Sequence, residues 1–174
     1  MIDPFIAFSV RGALAALMLA ACVHKLRDLT GFRQALDDYR LLPAFGLPAI
    51  ALLLPLIEGA SAVATLLGSV AGPIAIASLL LLYAGAIAIN LRRGRRTIDC
   101  GCLAFGKTGQ PIRAAMVLRN LALAVLAILV ATAPSGGRPL IWIDWIGLTC
   151  TVATAALLYA IMEAAMQTAR EIKP

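Results

Sequence analysis

Two thiols lie two residues apart in Cys100-Gly101-Cys102. Bridging them needs a sharp backbone bend, which Gly101 permits. A disulfide closed in so small a ring is strained and easily reduced, which suits a redox site better than a structural staple. Arg95 and Arg96, just upstream, favour the thiolate, while Asp99 opposes it. The structural alternative is an inert pair of cysteines in a turn. As metal ligands the two thiolates need partners, and the only others at hand are Cys22 and the single histidine, His24. That set is too thin for a zinc cage. Cys22 is then either a small buried apolar residue or a third thiol in an exchange relay.

A second group consists of ionisable side chains set in apolar sequence: Arg11, Glu58 and Arg119, with Asn120 beside the last. A charge at mid-bilayer costs at least about 2.5–3.5 kcal/mol, so such residues face a bundle interior and pair with one another. Arg11 and Arg119 each fall about 10 Å from one membrane face, and both are long enough to snorkel to Glu58. The structural reading is a buried ion pair that fixes helix register. The functional reading is a binding group for a polar substrate or a quinone head. Asn120 fits either, because its amide can hydrogen-bond across helices.

These residues need helices in lipid to hold them. The 174-residue chain is 61% hydrophobic and only 14% charged, against about 25% charged for a soluble domain. No core of this length hides so much apolar surface. A spanning helix needs roughly 20 mostly apolar residues, and five stretches fit: 4–23, 47–67, 73–91, 114–133 and 144–164. The expected fold is therefore an all-α integral membrane bundle of about five transmembrane helices in a single domain. Cys150 would lie about 9 Å inside one face and reads as packing. Leu19-Ala20-Ala21-Cys22 resembles a lipoprotein cleavage site, but the apolar stretch is as long as a full span and its early positive residue, Arg11, lies inside it.

The net charge of +6 carries no aromatic interleaving and no nucleic-acid motif, so no nucleic-acid partner is expected. With five spans, twelve Lys and Arg residues fall on one side and Arg138 alone on the other. Basic residues stay in the cytoplasm. The N-terminus is then outside and the C-terminus inside, with Cys100 and Cys102 at the cytoplasmic boundary of a bacterial inner membrane. Trp142 and Trp145, with Tyr39 and Phe45 near another edge, suit interfacial positions.

Several strings together resemble one family. They are Tyr39-Arg40-Leu41-Leu42-Pro43, Leu54-Pro55-Leu56-Ile57-Glu58, the run from Ala88 to Arg96, Asp99-Cys100-Gly101-Cys102, and Leu118-Arg119-Asn120-Leu121. They resemble MauE, the methylamine utilisation membrane protein placed among the DoxX-like proteins, over roughly residues 10–130. The resemblance implies a four-helix core of the DoxX and vitamin K epoxide reductase type, plus one helix. It implies a role in maturing methylamine dehydrogenase, whose small subunit carries many disulfides, together with a thioredoxin-like partner of the MauD type. Cys100 and Cys102 are carried over as redox residues of a thiol–disulfide oxidoreductase. Quinone-linked relatives of DsbB type use CxxC, and the CxC here departs from it; a quinone is the cofactor such a scheme would admit. The client this implies matures in the periplasm while the charge pattern puts the pair inside. Three resolutions are open: that electrons pass outward from a cytosolic donor to an outer thioredoxin-like partner, that the loop folds into the bundle and is reached from outside, or that the orientation is reversed. The competing readings are a membrane scaffold or transporter with a structural CxC, and a MauE relative serving another periplasmic disulfide protein.

Overall fold

A computed structural model describes residues 3–95, 112–132, 141–144, 146–147 and 149–150. Cys100 and Cys102 lie outside the described residues, as does most of the expected fifth span. The chain divides into two compact units, Val10–Ala133 and a smaller one of Met1–Ser9 with Pro134–Pro174. No strand occurs among the described residues, whose helices are α1 (Pro4–Arg27), α2 (Leu29–Tyr39), α3 (Leu47–Leu66), α4 (Ala71–Arg92) and α5 (Ala114–Thr132), with a short 3-10 turn at Ala44–Gly46. Among the described residues, four stretches are long and apolar enough to cross a membrane: Pro4–Arg27, Ala44–Leu66, Ala71–Arg92 and Ala114–Thr132. The protein is a multi-pass, all-α membrane protein.

In the larger unit the helices bury narrow stripes. On α3 the stripe runs Ala51, Pro55, Glu58, Ala62, Thr65, and on α5 Asn120, Ala124, Ala127, Val130, both at helical spacing. Small residues dominate because helices in lipid gain from close packing, not from escaping water. Leu14, Ala15 and Met18 of α1 join Ala62, Ile76, Leu80, Ala124 and Ala127 in one core cluster. Leu52, Leu53, Leu56 and Ile57 on the other face of α3 are exposed, as lipid-facing side chains should be.

The α3–α4 hairpin turns on Gly68 (φ +81°), whose left-handed backbone is open to glycine. The Ser69 N–H then reaches back to the Ala64 carbonyl at 3.0 Å, closing the helix end in a Schellman arrangement. Gly72 lets α4 start directly against α3, and a methyl group there would overlap the Thr65 backbone. Gly72→Ala should therefore force the hairpin open and cost about 1–3 kcal/mol, read as a lower unfolding midpoint of the detergent-solubilised protein. An unchanged midpoint would contradict this close approach.

Helix α2 was not expected as an element. Phe32, Ala35, Leu36 and Tyr39 form its inner stripe at i, i+3, i+4 and i+7, while Arg33, Gln34, Asp37 and Asp38 are exposed. Asp28 caps it, accepting from the Gly31 N–H at 2.9 Å and the Thr30 hydroxyl at 3.1 Å. The Gly31 N–H first, then Thr30, hold the Asp28 carboxyl below the usual carboxylate range. The cap's contribution is thus present above the ordinary aspartate pKa and is lost only as pH falls through the lowered one. At its far end α2 is held by Arg95, which donates to the Asp38 carbonyl at 3.3 Å, a cation at a helix C-terminus. Tyr39 is buried beside Ile87 and Ile112, whereas Phe45 is exposed.

In the smaller unit, the Ile141 N–H donates to Asp144 Oδ2 at 2.9 Å, and the Asp144 N–H donates to the Ile141 carbonyl at 2.9 Å. Trp142 is exposed and Gly147 lies against the Phe5 ring. Cys150, expected to pack, is exposed.

Candidate functional site

The buried stripe of α1 runs Leu14, Met18, Cys22, Lys25. Lysine at its last position falls beyond the expected span end at residue 23, yet the helix continues to Arg27. Helical side chains lean toward their own N-terminus. In α1 that direction points into the bundle, so Lys25 reaches inward. In antiparallel α3 the same rule leans Glu58 toward the end that carries Lys25. The two meet as an ion pair, Nζ to Oε1, with side chains 1% and 0% exposed.

Tyr83 of α4 completes the cluster. Its hydroxyl donates to Glu58 Oε1 at 2.6 Å and accepts from Lys25 Nζ at 3.3 Å. Two rings flank the ammonium, with Nζ 5.2 Å from the Phe32 centroid and 4.8 Å from that of Tyr83, within cation–π range. So Lys25 is desolvated but compensated by one carboxylate, one phenol and two ring faces.

This corrects the expected partners of Glu58. Arg11 instead donates to the carbonyls of Gly68 at 3.3 Å and Val130 at 3.4 Å. It sits where α3 and α5 end, and the free carbonyls there draw a cation. Arg119 is exposed and makes no ion pair among the described residues. It does line a cavity of about 60 Å³ together with Glu58, Tyr83 and Asn120. Glu58 Oε2 and Asn120 Nδ2 are buried with no partner among the described residues. The cavity is mostly apolar, but these four polar side chains reach it and it is roomy enough for a water that would satisfy both.

On the other side of the cluster lies a cavity of about 400 Å³. The α2 stripe forms one wall, and Ile50, Leu54, Leu82, Ala86 and Ile87 line the remainder with Lys25 and Tyr83. Cys22 is buried one turn before Lys25, its Sγ 3.2 Å from where a β-carbon on Gly59 would stand. Gly59 thus makes the space that the thiol fills. No group of metal-ligating residues occurs among the described residues.

The family model for methylamine utilisation protein MauE matches residues 3–133. The chain belongs to the MauE family. It is 38% identical over 161 residues to the methylamine utilization protein MauE of Paracoccus denitrificans, covering 91% of this chain and 86% of that one. The MauE of Paracoccus versutus is 38% identical over 162 residues (92% and 83%), and that of Methylophilus methylotrophus 34% over 162 residues (92% and 81%). No solved structure matches the chain. The stretch matched to MauE takes in all five described helices, the Lys25–Glu58–Tyr83 cluster and Cys100-Gly101-Cys102.

Lys25, Tyr83 and Phe32 are the site residues that sequence reasoning missed. The available signal was position: Lys25 continues the Leu14–Met18–Cys22 stripe at i+3 from Cys22, a place a purely topological charge would not take.

Proposed function

We propose that this MauE-family protein serves methylamine utilisation as a membrane thiol–disulfide accessory protein. Its client on this reading is the small subunit of methylamine dehydrogenase, and its partner a thioredoxin-like protein of the MauD type. The observation that carries the reading is the family match, because the matched stretch includes Cys100-Gly101-Cys102 between two membrane-spanning helices. Those cysteines follow Arg92, the last residue of α4, by eight and ten positions. The chain therefore leaves α4 and re-enters α5 at the bundle end where α1 also finishes. On our reading this end faces the cytoplasm of a bacterial inner membrane.

The chemistry is dithiol exchange. One thiolate attacks a partner disulfide and a mixed disulfide forms, expelling the partner's other sulfur as thiolate. The second thiol then displaces the partner, which leaves with both sulfurs reduced as Cys100 and Cys102 become joined. A cytosolic dithiol donor returns the pair to the reduced state by the same two steps, so reducing equivalents move outward to correct wrong disulfides.

Thiol labelling tests this placement. A membrane-impermeant maleimide should modify Cys100 and Cys102 in inverted vesicles, and labelling should rise after reductant. Reporters should agree, active in the cytoplasm after Pro174 and outside near Gly136. Labelling in intact cells only, or labelling indifferent to reductant, would contradict the proposal.

A further inference from the structure

The cavity of about 400 Å³ falls within the roughly 300–1,000 Å³ typical of small-molecule sites. Its walls are apolar but for Lys25 and Tyr83, which meet at one place, and Tyr39. An ammonium carries three N–H donors. Lys25 gives one to Glu58 Oε1 and one to the Tyr83 hydroxyl, which leaves one for a ligand.

Charge balance restricts what that ligand can be. Lys25 is already neutralised by Glu58 in a site from which both are removed from solvent. An anionic head would bring uncompensated negative charge next to Glu58, and a cationic head would face Lys25; each is costly in low dielectric. A neutral hydrogen-bond acceptor meets neither objection. Phe32 and Tyr83 supply ring faces beside that point, and Tyr39 lines the cavity about two turns further along α2, which suits a flat carbonyl-bearing head over a bulky one. Leu41, Leu82 and Ile89 line the cavity and are also exposed, so its mouth opens on the lipid-facing surface.

We propose that this cavity binds a neutral, membrane-dissolved carbonyl compound, its oxygen accepting from Lys25 Nζ and its apolar body lying between α2 and Ala86 of α4. Two sources share that chemistry, a quinone ring and the ester carbonyl of a neutral lipid. The inference rests on the cavity and not on the disulfide reading, and each stands or falls without the other.

The test uses the purified full chain in detergent, titrated by calorimetry with decyl-ubiquinone, dioleoylglycerol and oleate. One of the two neutral probes should bind saturably, and which one does so identifies the source. Ala86→Trp and Leu36→Trp fill the cavity from opposite walls and should each weaken that binding about tenfold or more, at an unchanged unfolding midpoint. Lys25→Met combined with Glu58→Leu removes the donor without stranding a charge and should weaken it as well. Absence of saturable binding by either neutral probe would overturn the proposal. So would wild-type affinity in both filling variants, or oleate binding more tightly than either neutral probe.

Discussion

Glu58→Ala is expected to lower the stability of the detergent-solubilised protein by about 3–5 kcal/mol. The substitution removes the only carboxylate that Lys25 contacts among the described residues and strands an ammonium that is 1% exposed. Two ring faces remain, but cation–π contacts recover only about 2 kcal/mol at desolvated sites. Glu58→Gln should be milder, because the amide oxygen still accepts from Lys25 and Tyr83. Tyr83→Phe should cost about 1 kcal/mol, the worth of one hydrogen bond. Lys25→Met with Glu58→Leu should recover most of the loss, since neither charge is then buried. Unfolding by titration with denaturing detergent would measure all of these. If the double variant is as unstable as the two single losses added together, the residues are not coupled, and the cluster is not what holds α1, α3 and α4 in register.

The spanning helices were legible because lipid imposes a crude rule, about 20 apolar residues in a row. The stretches at 4–23, 47–67, 73–91 and 114–133 correspond to α1, α3, α4 and α5 within a few residues. Helix α2 escaped that rule. It has eleven residues with Arg33, Gln34, Asp37 and Asp38 among them, so its signature lies in the spacing of Phe32, Ala35, Leu36 and Tyr39 rather than in composition. Lys25 counts among the charges that set topology, but its register on the buried α1 stripe and the lean of helical side chains toward the N-terminus turn it inward. Glu58 could be recognised as a buried acid from sequence, but its partner could not, because Arg11, Lys25 and Arg119 all lie within a side chain's reach of some plausible depth. The structure distinguishes them by what else competes for each cation: carbonyls at the ends of α3 and α5 take Arg11. The reading of Cys100 and Cys102 comes from their spacing and from the family, and the experiments below bear on it directly.

Replacing either cysteine of the pair should abolish maturation of methylamine dehydrogenase, an effect larger than any change in stability. A single thiol can begin an exchange but cannot complete a cycle. The two single variants should also differ from each other. Removing the resolving thiol leaves the attacking one joined to its partner, so one of Cys100→Ala and Cys102→Ala should accumulate a reductant-sensitive adduct of higher mass. The other should show none. Cys150→Ala should be close to neutral. Cys22→Ala reports on the relay: its thiol fills space against Gly59, so a packing role predicts a small loss of stability with activity following protein level, while a relay predicts lost activity at normal level.

The decisive measurement is the amount of active methylamine dehydrogenase formed in cells whose only copy of this protein carries Cys100→Ala and Cys102→Ala together, with the membrane abundance of the variant measured alongside. The thiol–disulfide account predicts no active enzyme at normal abundance of the variant. Full enzyme activity at that same abundance would contradict it, and would leave the protein as a membrane scaffold whose cysteines take no part in its work.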